Sequence, residues 1–155
     1  MLTKADVLEE AKGDFGPDYE KCLALAGANV LAFERFGSYS GDWWAVVEAD
    51  NPSRKFFVTG AYGSCSGCDH LEDMEYRIQP RVYSAPEGKR DEWLQKHNEA
   101  LLAEMESYGE ELLSNEYNLE RAIKELGDRI HWSEYNEDKK QHDWLVARAA
   151  EFEVA

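Results

Sequence analysis

The chain has 155 residues, a length that corresponds to one ordinary domain with a core of its own. It carries 32 acidic and 17 basic residues, for a formal net charge of −15, and both halves are negative. Direct binding to nucleic acid is therefore not expected, because contacts with phosphates need clustered lysine and arginine. The charge favours either plain solubility or a partner protein with a basic surface.

Targeting signals and membrane spans are not expected in this sequence. The segment Met1–Asp6 lacks a basic region followed by an apolar run, and no window approaches the roughly 18 uninterrupted apolar residues of a membrane span. Three cysteines, two of them three positions apart, are typical of reduced thiols or metal ligands. These features predict a cytoplasmic protein with no membrane partner.

Two short helices are predicted in the first segment, residues 1–27. Thr3 is the expected N-cap of the first helix, with Asp6 at the reciprocal position of a capping box. Pro17 suits the first turn of the second helix, and Gly27 is suited to end it.

An antiparallel sheet is predicted for residues 28–83. Three runs rich in β-branched and aromatic residues are Val30–Phe36, Asp42–Glu48 and Lys55–Tyr62. The connectors hold residues that tight turns favour, so a meander is the simplest topology. Arg77–Tyr83 is a candidate fourth strand.

The last segment, residues 90–155, is predicted to be helical. An amphipathic helix is expected over Asp91–Ser114, a second around Leu119–Ile130 and a third around Trp144–Phe152. The fold class is therefore predicted as a single α+β domain over residues 1–155. In it, a three- or four-stranded antiparallel sheet packs against helices, and the C-terminal half is helical.

The densest chemical pattern is Cys65-Ser66-Gly67-Cys68-Asp69-His70. Two thiolates at this spacing can coordinate one metal ion, and a nearby imidazole can be a third ligand. Cys65, Cys68 and His70 are therefore candidate zinc ligands. A closed zinc site needs a fourth ligand, for which the candidates are Cys22, His97, His131 and His142. The alternative is an ordinary tight loop with no cofactor, in which Cys22 is a core residue. A dithiol redox role is disfavoured, because the motif does not visibly open a helix.

Catalysis is not expected from this sequence. It contains no HExxH, phosphate loop, GxSxG or dinucleotide-binding glycine pattern, and no catalytic residue is assigned. If an enzyme is considered, a zinc-assisted hydrolytic site at Cys65, Cys68 and His70 requires the fewest assumptions.

Two segments carry a resemblance: Phe36-Gly37-Ser38-Tyr39-Ser40-Gly41-Asp42-Trp43, and Gly60-Ala61-Tyr62-Gly63-Ser64-Cys65-Ser66-Gly67-Cys68-Asp69. Together they resemble small uncharacterised proteins encoded by tailed bacteriophages, chiefly over residues 33–75. The resemblance implies a phage origin and a place in the host bacterial cytoplasm, but transfers no catalytic role. Small acidic phage proteins are often inhibitors that occupy the nucleic-acid-binding surfaces of host restriction, recombination or CRISPR enzymes. A host protein with a basic surface is accordingly the expected partner.

The predicted partner surface is acidic and partly aromatic. Along a helix axis Glu99 and Glu106 would be about 11 Å apart, and Glu106 and Glu110 about 6 Å apart. These distances are similar to three and two phosphate steps of about 3.4 Å. Tyr39 and the pair Trp43-Trp44 are candidate aromatic anchors, although at least one of these tryptophans is expected in the core. The acidic surface would extend through Glu116, Glu120, Asp128, Glu134, Glu137 and Asp138.

Two alternatives stay open at this level. The acidic face can serve solubility alone, since exposed helix faces are usually charged. The protein can also be a small zinc-binding accessory protein in phage replication or assembly. An amphipathic stripe is compatible with a monomer or a homodimer.

Overall fold

A computed structural model describes residues 1–49, 53–64, 69–78, 85–130 and 137–154. Over these ranges the chain forms six helices and a four-stranded sheet, with a C-terminal half that is almost entirely helical, which confirms the predicted α+β fold. In chain order the elements are α1 (Lys4–Glu10), α2 (Tyr19–Leu25), β1 (Asn29–Gly37), β2 (Gly41–Ala49), β3 (Arg54–Tyr62), α3 (His70–Ile78), α4 (Arg90–Ser114), β4 (Glu116–Tyr117), α5 (Leu119–Ile130) and α6 (Glu137–Phe152).

The sheet is an antiparallel meander in the order β1-β2-β3-β4, and its first three strands confirm the predicted runs. β1 and β2 meet in a tight hairpin in which Gly37 pairs with Gly41. Gly37 has a φ of 106°, a left-handed conformation that a residue without a Cβ adopts at little cost. A Cβ on Gly41 would lie 1.8 Å from the carbonyl oxygen of Phe36. The turn therefore requires both glycines.

The fourth strand is not where the sequence pattern placed it. Arg77 and Ile78 are the last residues of α3, and the rest of the predicted strand, residues 79–83, lies outside the described residues. The fourth strand is instead β4, which pairs with the middle of β3. Two residues are too few to show the alternation of apolar and polar side chains by which a strand is recognised in a sequence. β4 is a strand because it pairs with β3, not because its own residues predict one.

Helices cover both faces of the sheet, so the fold has three layers. Successive side chains of β2 point to opposite faces. Trp43 packs in the cluster with α1 to α4, whereas Trp44 packs in the cluster with α5 and α6. A strand that is buried on both faces reads as a continuous apolar run, which explains the run from Trp43 to Val47.

α4 is held close to α2 at Gly109. A Cβ on Gly109 would lie 1.9 Å from the carbonyl oxygen of Cys22, so only glycine permits this backbone contact. Glycine inside a helix costs about 0.5–1 kcal/mol relative to alanine, and the close approach accounts for its presence. The inner face of α4 confirms the predicted stripe, with the buried residues His97, Leu101, Met105 and Leu112. The opposite, charged face is thereby directed outward.

Candidate partner surface

The outer row of α4 carries three of the carboxylates expected to meet a partner. Glu99, Glu106 and Glu110 are spaced by seven and four residues, so they share one side of the helix. Glu99 and Glu110 are exposed and form no ion pair with any described residue. Glu106 is half-buried, and the Lys4 ammonium donates to it at 2.6 Å. Two of the three charges are thus left without a cation.

The charges near the C-terminal end of α4 are unfavourable for the helix itself. Glu110 and Glu111 lie there, and the last turn contains no basic residue. The partial negative charge of a helix C-terminus repels carboxylates, and Glu106 with Glu110 forms a like-charged i,i+4 pair. Glu92 at the N-terminal end differs, because hydrogen bonds from two neighbouring lysines lower its pKa. The C-terminal carboxylates therefore do not stabilise the element that carries them.

Glu116 and Glu120 continue the acidic character beyond α4, but not along the same row. Arg54 donates to both carboxylate oxygens of Glu116 at 2.7 Å. Glu120 is exposed in the first turn of α5 and has no ion-pair partner in the described part of the chain. Since α4 and α5 pack on opposite faces of the sheet, these two residues lie around its β4 edge.

The remaining acids expected on this surface are mostly neutralised. Glu134 lies outside the described residues. The other three each form an ion pair: Asp128 with Lys124 at 3.4 Å, Glu137 with Lys140 at 2.7 Å, and Asp138 with Arg129 at 3.7 Å. Of the predicted surface acids in the described ranges, Glu99, Glu110 and Glu120 are therefore the ones that form no ion pair with a described residue.

Of the three candidate aromatic anchors, Trp43 and Trp44 are buried and Tyr39 is exposed. Trp43 is 0% exposed and stacks between Tyr19 at 5.2 Å and Phe33 at 5.5 Å. A role for Trp43 as a surface anchor is incompatible with this position, because β2 is covered on both faces. Tyr39, at the tip of the β1–β2 hairpin, is 82% exposed and available to a partner. The equally prominent Tyr76 on α3 was not singled out from the sequence, since nothing in its local pattern marks it.

The predicted metal loop is described only at its ends. Cys65 and Cys68 lie outside the described residues. Asp69 is buried, and its carboxylate accepts hydrogen bonds from the Tyr19 hydroxyl at 2.8 Å and from the Gly63 N–H at 3.0 Å. It also accepts from the first-turn amides of α3. Asp69 therefore caps α3 and closes the base of the loop.

The histidines proposed to complete a zinc site are dispersed. His70 is exposed and stacks on Tyr108, with ring centroids 4.0 Å apart. His97 is eleven residues before Tyr108 on α4, about 16 Å away along the axis. His142 is on α6, across the sheet, and His131 lies outside the described residues. Within the described ranges no three His, Cys, Asp or Glu side chains form a metal-binding group.

Cys22 is a core residue rather than an available ligand. It is fully buried, as the sequence alternative predicted. Burial raises the pKa of the Cys22 thiol to about 12. The thiol therefore stays protonated near neutral pH, whereas zinc binds the thiolate.

The sequence disfavours a dithiol redox role because no helix is expected after the cysteine motif, and this expectation is wrong. α3 begins at His70, two residues after Cys68. The sequence pattern does not predict α3, because most of its residues are polar or charged and only Leu71 and Met74 are buried. The carboxylate of Asp69 sits at the positive end of this helix and accepts from its first-turn amides.

The described helices include no candidate membrane span, and the comparisons with known proteins give no lead to a function. Even α4, with 25 residues, carries too many charges to cross a bilayer, and no other described helix is both long and apolar enough. Comparisons with protein-family models, curated proteins and solved structures found no match.

Proposed function

We propose that this protein is an acidic, phage-encoded inhibitor that occupies a basic surface of a host protein in the bacterial cytoplasm. The observation that carries the proposal is the α4 row of Glu99, Glu106 and Glu110, whose last member, Glu110, lies near the helix end at which the dipole opposes a carboxylate. Solubility would be served equally by carboxylates at the other end of the helix, where they would also stabilise it. Their position supports a role in binding.

The partner that fits this row is a nucleic-acid-processing enzyme of host defence, such as a restriction or CRISPR nuclease. Such enzymes hold nucleic acid with clustered lysine and arginine. The carboxylates of the α4 row are spaced on the scale of phosphate steps, and α4 is held rigidly against α2 by the contact at Gly109. A preorganised row loses little entropy on binding.

Tyr39 supplies a second kind of contact. Its ring projects from a hairpin tip that two glycines hold in a tight turn. Tyrosine is a common interface anchor because it offers a large contact area with few rotatable bonds. We assign it as the aromatic contact of the inhibitor.

The test is a pull-down from bacterial lysate with two matched triple variants. One removes the α4 row through Glu99→Gln, Glu106→Gln and Glu110→Gln. The other removes three exposed charges elsewhere that form no ion pair with a described residue, through Glu72→Gln, Glu75→Gln and Glu87→Gln. Both variants change the net charge by the same amount, so they separate the surface from the overall charge.

We expect the wild type to capture a nucleic-acid-processing enzyme at low salt and to lose it toward about 0.5 M NaCl, where charges are strongly screened. The row variant should lose the capture and the control variant should keep it. Equal behaviour of both variants, or no basic partner at all, contradicts the proposal.

A small zinc-binding accessory protein in phage replication or assembly is the second candidate. It is favoured by the hydrogen bond from Gly63 to Asp69, which closes the loop, and by the exposed position of His70 beside it. Cys65, Cys68 and His70 would then be ligands of a zinc ion. Stoichiometric zinc that is lost in Cys65→Ser, without a basic partner, would favour this candidate over the inhibitor; metal-free purified protein would exclude it.

A further inference from the structure

A groove of about 410 Å³ lies between the C-terminal end of α1 and the N-terminal half of α4. Apolar side chains line it, among them Leu8, Leu94 and Leu102, and the carboxylates of Asp91 and Glu99 lie beside them. Leu8 is 43% exposed, so part of its side chain is accessible to a molecule in the groove. The groove thus combines an apolar lining with negative charge.

A buried acceptor without a donor lies in the same groove. Asn98 is 3% exposed, and its Nδ2 donates to the carbonyl oxygens of Ala11 and Gly13, both at 2.9 Å. These two bonds determine the orientation of the amide. Its Oδ1 accepts no hydrogen bond from any described residue. A buried acceptor left unsatisfied is unfavourable, so a donor brought by a bound molecule would be favourable.

The charges of the groove are also uncompensated. Asp91 and Glu99 form no ion pair with a described residue. Lys12, the basic residue in the lining, is already paired with Glu9. Glu99 is in addition the first member of the α4 row, so the groove is continuous with the proposed partner surface.

We infer that this groove receives a short extended segment of the partner in which an apolar residue is flanked by two basic residues. The inference rests on the proposed function and deepens it, because it names the partner segment that the acidic surface recognises. The apolar side chain would lie against Leu8, Leu94 and Leu102, and the basic side chains would face Asp91 and Glu99. The N–H groups of the basic side chains would donate to the carboxylates of Asp91 and Glu99.

The spacing of the two carboxylates sets the spacing of the basic residues. Asp91 and Glu99 are eight residues apart on α4, about 12 Å along the axis. An extended peptide advances about 3.3 Å per residue, so its residues i and i+4 are about 13 Å apart. They point to the same side as residue i+2, which is where the apolar side chain belongs. Arginine fits the flanking positions, because its aliphatic stem packs on apolar surface while its guanidinium donates.

The test is an NMR titration of the isotopically labelled protein with the peptide acetyl-Arg-Ser-Leu-Ser-Arg-amide. Its matched control replaces both arginines by citrulline, which has nearly the same shape and no charge. We expect saturable shift changes centred on residues 8–12 and 91–102. We also expect the citrulline peptide to bind about fivefold more weakly, as two surface ion pairs would give.

The paired variant Asp91→Asn with Glu99→Gln should bind the arginine peptide no better than the citrulline peptide. Glu72→Gln with Glu75→Gln, two exposed carboxylates of α3 that form no ion pair with a described residue, should retain the wild-type difference. Equal affinity of both peptides for the wild-type protein, or shift changes centred elsewhere, would overturn the inference. If the protein captures a basic partner from lysate but the peptide does not bind, the groove assignment fails and the proposed function stands.

Discussion

Asp69 joins three parts of the chain through a single carboxylate. It accepts from Tyr19 in α2, from Gly63 after β3 and from the first turn of α3. An asparagine keeps the shape but replaces one accepting oxygen by a nitrogen that cannot accept. We expect Asp69→Asn to lower the free energy of unfolding by about 1–3 kcal/mol, because buried donors lose their acceptor. Urea unfolding monitored by circular dichroism measures this change.

Glu75→Gln is the control for that measurement. Glu75 is exposed on the same helix and forms no ion pair with a described residue. Its substitution should change the free energy of unfolding by less than about 0.5 kcal/mol. Similar stability of the two variants would show that the Asp69 carboxylate does not hold the loop.

Buried hydroxyl and thiol groups predict a loss of stability at alkaline pH. Burial raises the pKa of Tyr108 from 10.0 to about 12 and that of Cys22 from 9.0 to about 12. It also raises the pKa of Tyr19, together with the hydrogen bond to Asp69. Between the unfolded and folded values the unfolded chain binds fewer protons, so the free energy of unfolding falls as the pH rises from about 9 toward 12.

Tyr108→Phe tests this slope. The variant should show a shallower decline of unfolding free energy above about pH 10, because one titrating group is removed. Tyr76→Phe, at an exposed tyrosine, should retain the wild-type slope. Urea unfolding at a series of pH values distinguishes them, and identical slopes for all three proteins would contradict the assignment.

At the scale of elements, the charge distribution along α4 predicts opposite effects at its two ends. Glu110→Gln with Glu111→Gln should stabilise the protein by about 0.3–1 kcal/mol, because the carboxylates oppose the helix dipole. Glu92→Gln should destabilise it, since the ion pairs with Lys89 and Lys96 are lost. Thermal unfolding measures both. Destabilisation by the first pair of changes would mean that those carboxylates serve the fold, and would remove the support for a binding role.

The crossing of α2 and α4 predicts a glycine requirement at one position. Gly109→Ala should lower the free energy of unfolding by about 1–3 kcal/mol, because the added Cβ would lie 1.9 Å from the Cys22 carbonyl oxygen. Gly127→Ala in α5 is the matched control, since a Cβ there meets nothing within 4 Å. That change should be neutral or stabilising by up to about 1 kcal/mol. Equal effects would contradict a close helix contact at Gly109.

For the whole molecule, the two clusters on opposite faces of the sheet share the backbone of β2. Trp43 reports on one cluster and Trp44 on the other. We expect a single cooperative transition, because neither face can be lost without exposing the strand that both use. Fluorine NMR of 5-fluorotryptophan at these two positions should show the same urea midpoint. Two separate midpoints would mean that the layers unfold independently.

The candidate site could be predicted only in part. The helical spacing of Glu99, Glu106 and Glu110 identifies one face of α4, because such spacing is local. Which of these charges has a counterion depends on residues far away in sequence, as Lys4 is from Glu106. The buried amide of Asn98 is not predictable for the same reason, since its partners Ala11 and Gly13 follow α1, more than 80 residues earlier in the chain.

The sequence by itself determined the fold class, the three long strands and most helix bounds, because turn residues, caps and periodicity act over a few positions. The tertiary structure decided the rest: that two helices cover the second face of the sheet, that Trp43 is buried while Tyr39 is exposed, and that β4 completes the sheet. These features arise from contacts between distant segments. Local patterns carry no record of such contacts until the chain has folded.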